Sequence, residues 1–428
     1  MTAAEPGFDE LFAVHPQTLR QPAPIYARAR AERPVFQSER LGAYVVTRYD
    51  DIMEVLQAPE SFSSEVASGP ASVTPLAAQL AADPATPPRL RAQAERRLRM
   101  SAAKVLLNSD PPLHVRQRKL INKAFTARRV NSMEDDVREI ANRLIDAFAA
   151  DGKVEIVSQF SIGLPMTVIA GLLGVPASLH GTFKRWSNAF TAGTGNLQLG
   201  SDDVAAMFDS VDEFYDYFTE QIADRQAHPR DDLLTDVVAA RIDGEDPLTL
   251  EEMLQMLVQF LVAGNETTTN LLTSITYRLV TNAELMAKVR ADRSLIRLLV
   301  EEVLRVESPV QGLFRRADAD TTIGGVDIPA RSLLWLVYAS GNRDKAYFPP
   351  GDDVVLDGAG ARKHLAFGRG EHSCLGNLLA RLEARVGIDT LLSRLDDLRL
   401  VGRPDDVPWL PNFVLHGIQE LHLTFRAG

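Results

Sequence analysis

Cys374 is the only cysteine among 428 residues, and it lies in the run Phe367-Gly368-Arg369-Gly370-Glu371-His372-Ser373-Cys374-Leu375-Gly376. With no second thiol it forms no internal disulfide, so it is either a small buried hydrophobe or a metal-binding sulfur. Its neighbours favour the second. Gly370 and Gly376 remove side chains on both sides of the sulfur, which lets backbone N–H groups approach it and lets a flat cofactor lie against the main chain. A thiolate held this way suits a metal ion. At about 5% usage per position, a chance match to Phe-x-x-Gly-x-x-x-Cys-x-Gly has odds on the order of 1 in 400 in this chain.

Three other groups of residues could take part in chemistry. Ala263-Gly264-Asn265-Glu266-Thr267-Thr268 sets a carboxylate beside hydroxyls, which in isolation reads as a solvated charge and a packed side chain. Glu302 and Arg305 stand three apart, the spacing of an ordinary helix-stabilising pair. His114 and Arg118 follow Asp110-Pro111-Pro112, four apart on one helix face.

The elements that must position these groups are also readable. Thr249-x-x-Glu252 is a capping box, and apolar residues at helical spacing continue to about Val280 as one unusually long helix. Gln255, Gln259, Asn265, Glu266 and Asn270 make it too polar for a membrane span. Alternating apolar residues from Pro34 to Arg48 around Leu41-Gly42 predict a hairpin and a small sheet. With 428 residues, 45% of them hydrophobic, and no Gly/Ser linker, one large, mostly helical domain is expected. A net charge of -11 argues against a nucleic-acid partner. The N-terminus shows neither a basic n-region nor an apolar stretch, so neither a secretion signal nor a membrane anchor is expected and a cytoplasmic location is.

The cysteine run resembles the haem-binding loop of cytochrome P-450, and His372 and Leu375 make it similar to the soluble bacterial branch. The other motifs resemble the same family in its own order. Ala263-Gly264-Asn265-Glu266-Thr267 looks like the Ala-Gly-x-acid-Thr signature, and Glu302-Val303-Leu304-Arg305 ahead of Glu307-Ser308-Pro309-Val310 looks like the buried Glu-x-x-Arg pair. Asp110-Pro111-Pro112-Leu113-His114 through Arg118 resembles the propionate-binding helix, and Arg315 the propionate-binding arginine of a strand, with Arg316 as the alternative. Tyr44-Val45-Val46-Thr47-Arg48-Tyr49-Asp50-Asp51 and Phe62-Ser63-Ser64 extend the resemblance, which runs from roughly residue 20 to the C-terminus.

The resemblance implies a mainly α fold with a small β region (α+β). It would be a single triangular-prism domain over residues 1–428, with haem b (iron protoporphyrin IX) between the long central helix and the cysteine loop. Residues 1–20 would be an N-terminal extension, and about 65–108 an extended lid-like insertion containing Pro84-Ala85-Thr86-Pro87-Pro88 and the basic run Arg89 to Arg99. A solvated amphipathic helix and a docking site for an acidic carrier protein stay open for that run. Cys374 would ligate the iron, with Phe367, Gly368 and Gly376 shaping the loop and His114, Arg118, Arg315 and His372 serving the propionates. Thr267 would donate and accept at bound dioxygen, Glu266 would relay protons, and Gly264 with the hydroxyl would loosen the helical ladder. Glu302 and Arg305 would be structural. The family usually adds a second arginine about fifteen residues before the cysteine, where this chain reads Asp357-Gly358-Ala359-Gly360-Ala361; Arg362 and Arg343 are the candidate substitutes.

Analogy alone places Val310, Leu313, Phe413, Val414 and Ala263 around the substrate. The implied activity is insertion of one oxygen atom from O2 into an apolar small molecule, by hydroxylation or epoxidation, in bacterial secondary metabolism. Ferredoxin and ferredoxin reductase would supply electrons to a monomer. Arg116, Lys123, Arg128, Arg129, Lys363 and Arg369 are candidates for a basic patch facing that acidic donor. Other readings are a haem-thiolate peroxygenase or isomerase and a non-catalytic haem-binding sensor.

Overall fold

A computed structural model describes residues 7–69, 73–122, 125–191, 201–360 and 363–428. Helices dominate and the strands are short, so the fold is mainly α with a small β region. In chain order, the strands used below are β1 (Val35–Ser38), β2 (Ala43–Val46), β3 (Phe62–Ser63), β4 (Lys153–Glu155), β5 (Leu313–Ala317), β6 (Leu333–Leu336), β7 (Leu395–Leu400) and β8 (His422–Ala427). The helices are α1 (Pro88–Ala102), α2 (Leu113–Asn122), α3 (Ser201–Ala227), α4 (Leu250–Thr281), α5 (Ile296–Glu307) and α6 (Asn377–Arg394). The chain forms two compact units, one of residues 7–62, 130–165 and 266–428, the other of 63–129 and 166–265.

In the first unit, β1 and β2 form the hairpin that the alternation predicts, pairing Val35 with Val46 and Ser38 with Ala43. Gly42 turns the chain at φ 65°, a left-handed conformation that favours glycine. The sheet runs β1-β2-β6-β5-β3, with β2 and β6 parallel. Side-chain alternation divides its two faces. Phe314 and Trp335 join Phe8, Phe12, Tyr26 and Phe413 in one core cluster, while Leu334 and Leu336 join Val46, Ile52 and Phe62 in another. Phe8 and Phe12 stack edge-on against Trp335 at 6.2 and 5.5 Å, so the N-terminal segment from Phe8 is packed into this unit. A second sheet, β4-β8-β7, closes beside the C-terminus. The second half of α4 lies tightly against α6, because a Cβ on Gly387 would come within 2.7 Å of Leu164 and 3.2 Å of Leu272.

The second unit contains α1, α2, α3 and the first half of α4. The capping box is made as the sequence spells it: Thr249 N donates to Glu252 Oε2 at 2.9 Å and Glu252 N to Thr249 Oγ1 at 3.1 Å. α4 begins one residue later than Thr249 and ends at Thr281. The basic run forms α1, which lies along the acidic face of α3. Arg89 pairs with Asp209 at 2.7 Å, and Arg96 with Asp216 at 2.7 Å and Asp212 at 3.2 Å. Gln93 also donates to Asp209, and the Arg97 guanidinium covers the Phe190 ring at 5.4 Å. Arg89, Gln93 and Arg96, three or four apart on one helix face, are therefore committed to the protein's own acids. Among the described residues, no helix is long and apolar enough to cross a membrane.

Candidate active site

Cys374 sits where a tight loop meets a helix. Gly368 and Gly370 take φ values of 64° and 72°, and a Cβ on Gly370 would press to 2.8 Å from Leu56 O. Those turns bring Cys374 N to Phe367 O at 2.8 Å, closing the loop. α6 starts at Asn377 with Gly376 as its N-cap, so the sulfur-bearing residue stands just before the partial positive charge of an eighteen-residue helix. Gly376 has an ordinary φ of -82°, and a Cβ there would meet no atom of the described residues within 4 Å. The chain's own packing does not require a glycine at 376, whereas a flat group laid against the loop would.

Two adjacent arginines on β5 differ in a way that tests for haem. Arg315 is only 4% exposed, and its hydrogen bond goes from Nη1 to Phe314 O at 2.7 Å. Among the described residues, no carboxylate lies within ion-pairing distance of it. Arg316, pointing to the other side of the strand, pairs with Asp318 at 3.0 Å. A buried guanidinium without a counter-charge is costly, so Arg315 fits an anionic group such as a propionate. The residues present thus fit haem: a cysteine at a helix start, a glycine-lined loop and a buried uncompensated cation, all in one unit.

His372 belongs to the cysteine loop in that unit, whereas His114 and Arg118 lie on α2 in the second. There, Asp110 accepts from Ser63 Oγ at 2.6 Å and Ser64 N at 2.7 Å, and its carbonyl takes the His114 N–H at 2.9 Å, which fixes the start of α2. His114 is buried and Arg118 half-buried. Arg116 is spent on Glu252 at 2.9 Å and Arg129 on Asp236, which corrects their expected place in a free basic patch. Arg128 and Lys363 are exposed and Arg369 is half-buried; Lys123 lies outside the described residues.

Glu266 and Thr267 are half-buried on α4, at the start of its second half. The helix is continuous across Gly264–Thr268, so the expected local opening of its ladder is not a feature of this structure. Gly264 faces Ile169 at ordinary contact distance, and Asn265 Nδ2 donates to Ser187 Oγ at 3.2 Å. Ala263 is exposed. These local packing contacts favour an unbroken helix.

Glu302 and Arg305, each 3% exposed, form a bidentate pair at 3.1 and 2.9 Å. The remaining guanidinium donors go to the carbonyls of Asn342 at 3.0 Å, Gly351 at 2.6 Å and Asp353 at 2.7 Å, and Val355 N donates to Glu302 Oε2 at 3.0 Å. A Cβ on Gly360 would lie 2.7 Å from Glu302 Oε1. Arg343 does not replace the missing second arginine. It donates to Val306 O and pairs with Asp352 at 3.0 Å, while Arg362 lies outside the described residues. Backbone groups complete the network.

Of the residues placed around substrate by analogy, Val310 bridges to Leu415, and Gln311 N donates to Val414 O at 2.7 Å. Leu313 begins β5 and is half-buried. Phe413 packs edge-on against Phe12 at 5.3 Å and Trp335 at 5.6 Å, as a core residue does.

The sequence reading overlooked Glu383. This carboxyl on α6 is 2% exposed and bonded to Thr268, next to Thr267, and burial pushes it up to about 8. The signal was present: Leu379, Leu382, Glu383 and Val386 follow the i, i+3, i+4, i+7 spacing of a buried helix face, so the acid occupies a core position.

The sequence matches the cytochrome P-450 family over residues 180–400. It is 36% identical over 404 residues to cytochrome P-450 107B1 of Saccharopolyspora erythraea, covering 92% of this chain and 93% of that one. It is 35% identical to the mycinamicin IV hydroxylase/epoxidase of Micromonospora griseorubida, covering 99% of this chain and 100% of that one. The solved structure of a cytochrome P-450 from Chondromyces apiculatus superposes with a TM-score of 0.83 at 35% identity, over 97% of this chain and 98% of that one. Full-length likeness in sequence and fold, joined to a cysteine loop and buried arginine suited to haem, establishes that the chain belongs to the cytochrome P-450 family and is a haem b dependent oxygenase.

Proposed function

We propose that this oxygenase inserts one atom of O2 into a C–H or C=C bond of an apolar small molecule, as a single catalytic domain fed by a separate ferredoxin and its reductase. The observation that carries the reading is the Cys374 loop, closed on Phe367 O at the start of α6 in the same unit as the uncompensated Arg315. When bound, haem b supplies the redox-active iron at which dioxygen is reduced. Cys374 Sγ would hold that iron, and Arg315, His372, His114 and Arg118 would hold the propionates. Thr267 Oγ1 both donates and accepts, so it can pass a proton onward while keeping a hydrogen bond to its recipient. Glu266, half-buried one residue earlier, is the acid that would bring protons in from solvent. The Micromonospora relative is named for hydroxylation and epoxidation, which supports this reaction class.

The test is the spectrum of the dithionite-reduced protein before and after carbon monoxide, followed by turnover under labelled O2 with a ferredoxin and reductase. A strongly red-shifted Soret band and one labelled atom per product are expected. Cys374→Ala should lose both. Turnover with peroxide but not with the redox pair would replace this reading with a peroxygenase.

A further inference from the structure

One carboxylate lies behind both ends of the cysteine loop. Glu301, on α5, accepts from Arg381 through both oxygens, Nε to Oε1 at 2.6 Å and Nη2 to Oε2 at 3.0 Å, and His364 Nε2 stands 3.0 Å from Oε2. Arg381 lies one turn into α6. Its remaining nitrogen, Nη1, donates to Asn377 Oδ1 at 2.8 Å, and Asn377 Nδ2 donates to the Cys374 carbonyl at 2.6 Å. The guanidinium plane also covers the Phe367 ring at 4.4 Å, with the His364 ring 6.0 Å from the same ring. Phe367 O in turn takes the Cys374 N–H at 2.8 Å.

A guanidinium carries donors only, so the end of the Asn377 amide that faces Arg381 must be its oxygen. The other end, facing Cys374 O, is then necessarily the NH2 group. Without Arg381, the amide is free to rotate and set its oxygen against the cysteine carbonyl, replacing an attraction with a repulsion. Glu301 fixes the fork that makes this choice, because a bidentate pair defines the plane as well as the position of the guanidinium.

We propose that Glu301 and Arg381 are positioning residues that orient the Asn377 amide on the Cys374 carbonyl and thereby tune electron donation by the cysteine sulfur. This rests on Cys374 being the ligand of haem iron. Hydrogen bonding around a metal-bound thiolate is one of the levers by which a protein sets reduction potential. Losing the bond at Cys374 O leaves more electron density on the sulfur side and favours the ferric state.

The experiment measures the midpoint reduction potential of the haem-loaded wild type and of Arg381→Gln, Asn377→Leu, the double variant, Arg381→Lys and Glu301→Gln. Each preparation is checked by its carbon monoxide band. Arg381→Gln and Asn377→Leu should each move the potential negative, lowering the ferrous fraction at the wild-type midpoint by roughly threefold or more, the scale of one hydrogen bond. The double variant should move it no further than the larger single change. Glu301→Gln removes a negative charge and, by relieving its through-space repulsion of the added electron, would alone move the potential positive; positioning predicts a negative shift. Arg381→Lys keeps the charge without the fork and should fall between wild type and Arg381→Gln, and it serves the same purpose if the glutamine variant does not hold haem. Additive shifts in the double variant, a positive shift in Glu301→Gln, or an unshifted Arg381→Lys overturns the proposal. A wild type without the red-shifted band overturns the iron ligation itself, which is a different failure.

Discussion

Glu383→Gln is expected to stabilise the folded chain, and to do so increasingly as pH rises. The carboxyl is 2% exposed, and burial pushes it from its ordinary 4.5 up to about 8, with the Thr268 hydrogen bond acting in the opposite direction. Below pH 4.5, folded and unfolded chains both hold the proton and the site costs nothing. Between 4.5 and about 8 the folded chain retains a proton that the unfolded chain releases, so stability falls by about 1.4 kcal/mol for each pH unit. Above 8 both states are ionised and the penalty stays constant. At pH 7 it amounts to roughly 3.4 kcal/mol, a large fraction of an ordinary domain's stability. Glutamine keeps the shape and an acceptor for Thr268 but has no proton to lose. Urea unfolding of wild type and variant at pH 5.5, 6.5 and 7.5, followed by circular dichroism, measures the difference. The variant's advantage should grow by roughly 2.7 kcal/mol across that range. A difference that does not change with pH, or one that shifts toward wild type as pH rises, would refute the account of Glu383 as a buried neutral acid.

Thr267→Ala should retain haem while the ratio of product to electrons consumed falls by roughly tenfold or more, with peroxide released instead, as measured by product and peroxide assays under the redox pair. Arg315→Gln should weaken haem retention by about tenfold to a hundredfold in a transfer assay to apomyoglobin, the scale of one or two charged hydrogen bonds, whereas Arg316→Gln should change it less than threefold. Glu302→Gln leaves Arg305 buried without its counter-charge and should cost about 3 kcal/mol or more in chemical denaturation; equal stability would show that the three carbonyls alone satisfy the guanidinium.

Features written locally in the chain could be read in advance, and features made by distant backbone could not. The capping box at Thr249 and Glu252 and the turn at Gly42 involve neighbours only, so residue type and spacing sufficed. The choice between Arg315 and Arg316 depends on strand parity, set by pairing with Leu334 and Leu333, and sequence adjacency hides it. The partners of Arg305 are main-chain oxygens, which leave no mark in residue identity. The basic helix α1 stayed open between a lid, a solvated helix and a docking site because its acidic counterpart lies more than a hundred residues away on α3. Glu383 could have been found from its place in the apolar spacing of α6.

The way Arg305 is held also bears on how freely this part of the chain can drift in evolution. Its guanidinium reads the path of the main chain at Asn342, Gly351 and Asp353 rather than any side chain there, and Val355 contributes an amide that every residue except proline carries. Substitutions at 353 and 355 can therefore accumulate while the path is kept. Gly351 is the exception, since a Cβ there would fall 2.5 Å from Arg343 O. A support made of carbonyls needs no second charged side chain in this neighbourhood, and at 360, where a Cβ would press against Glu302, it leaves room for nothing larger than glycine.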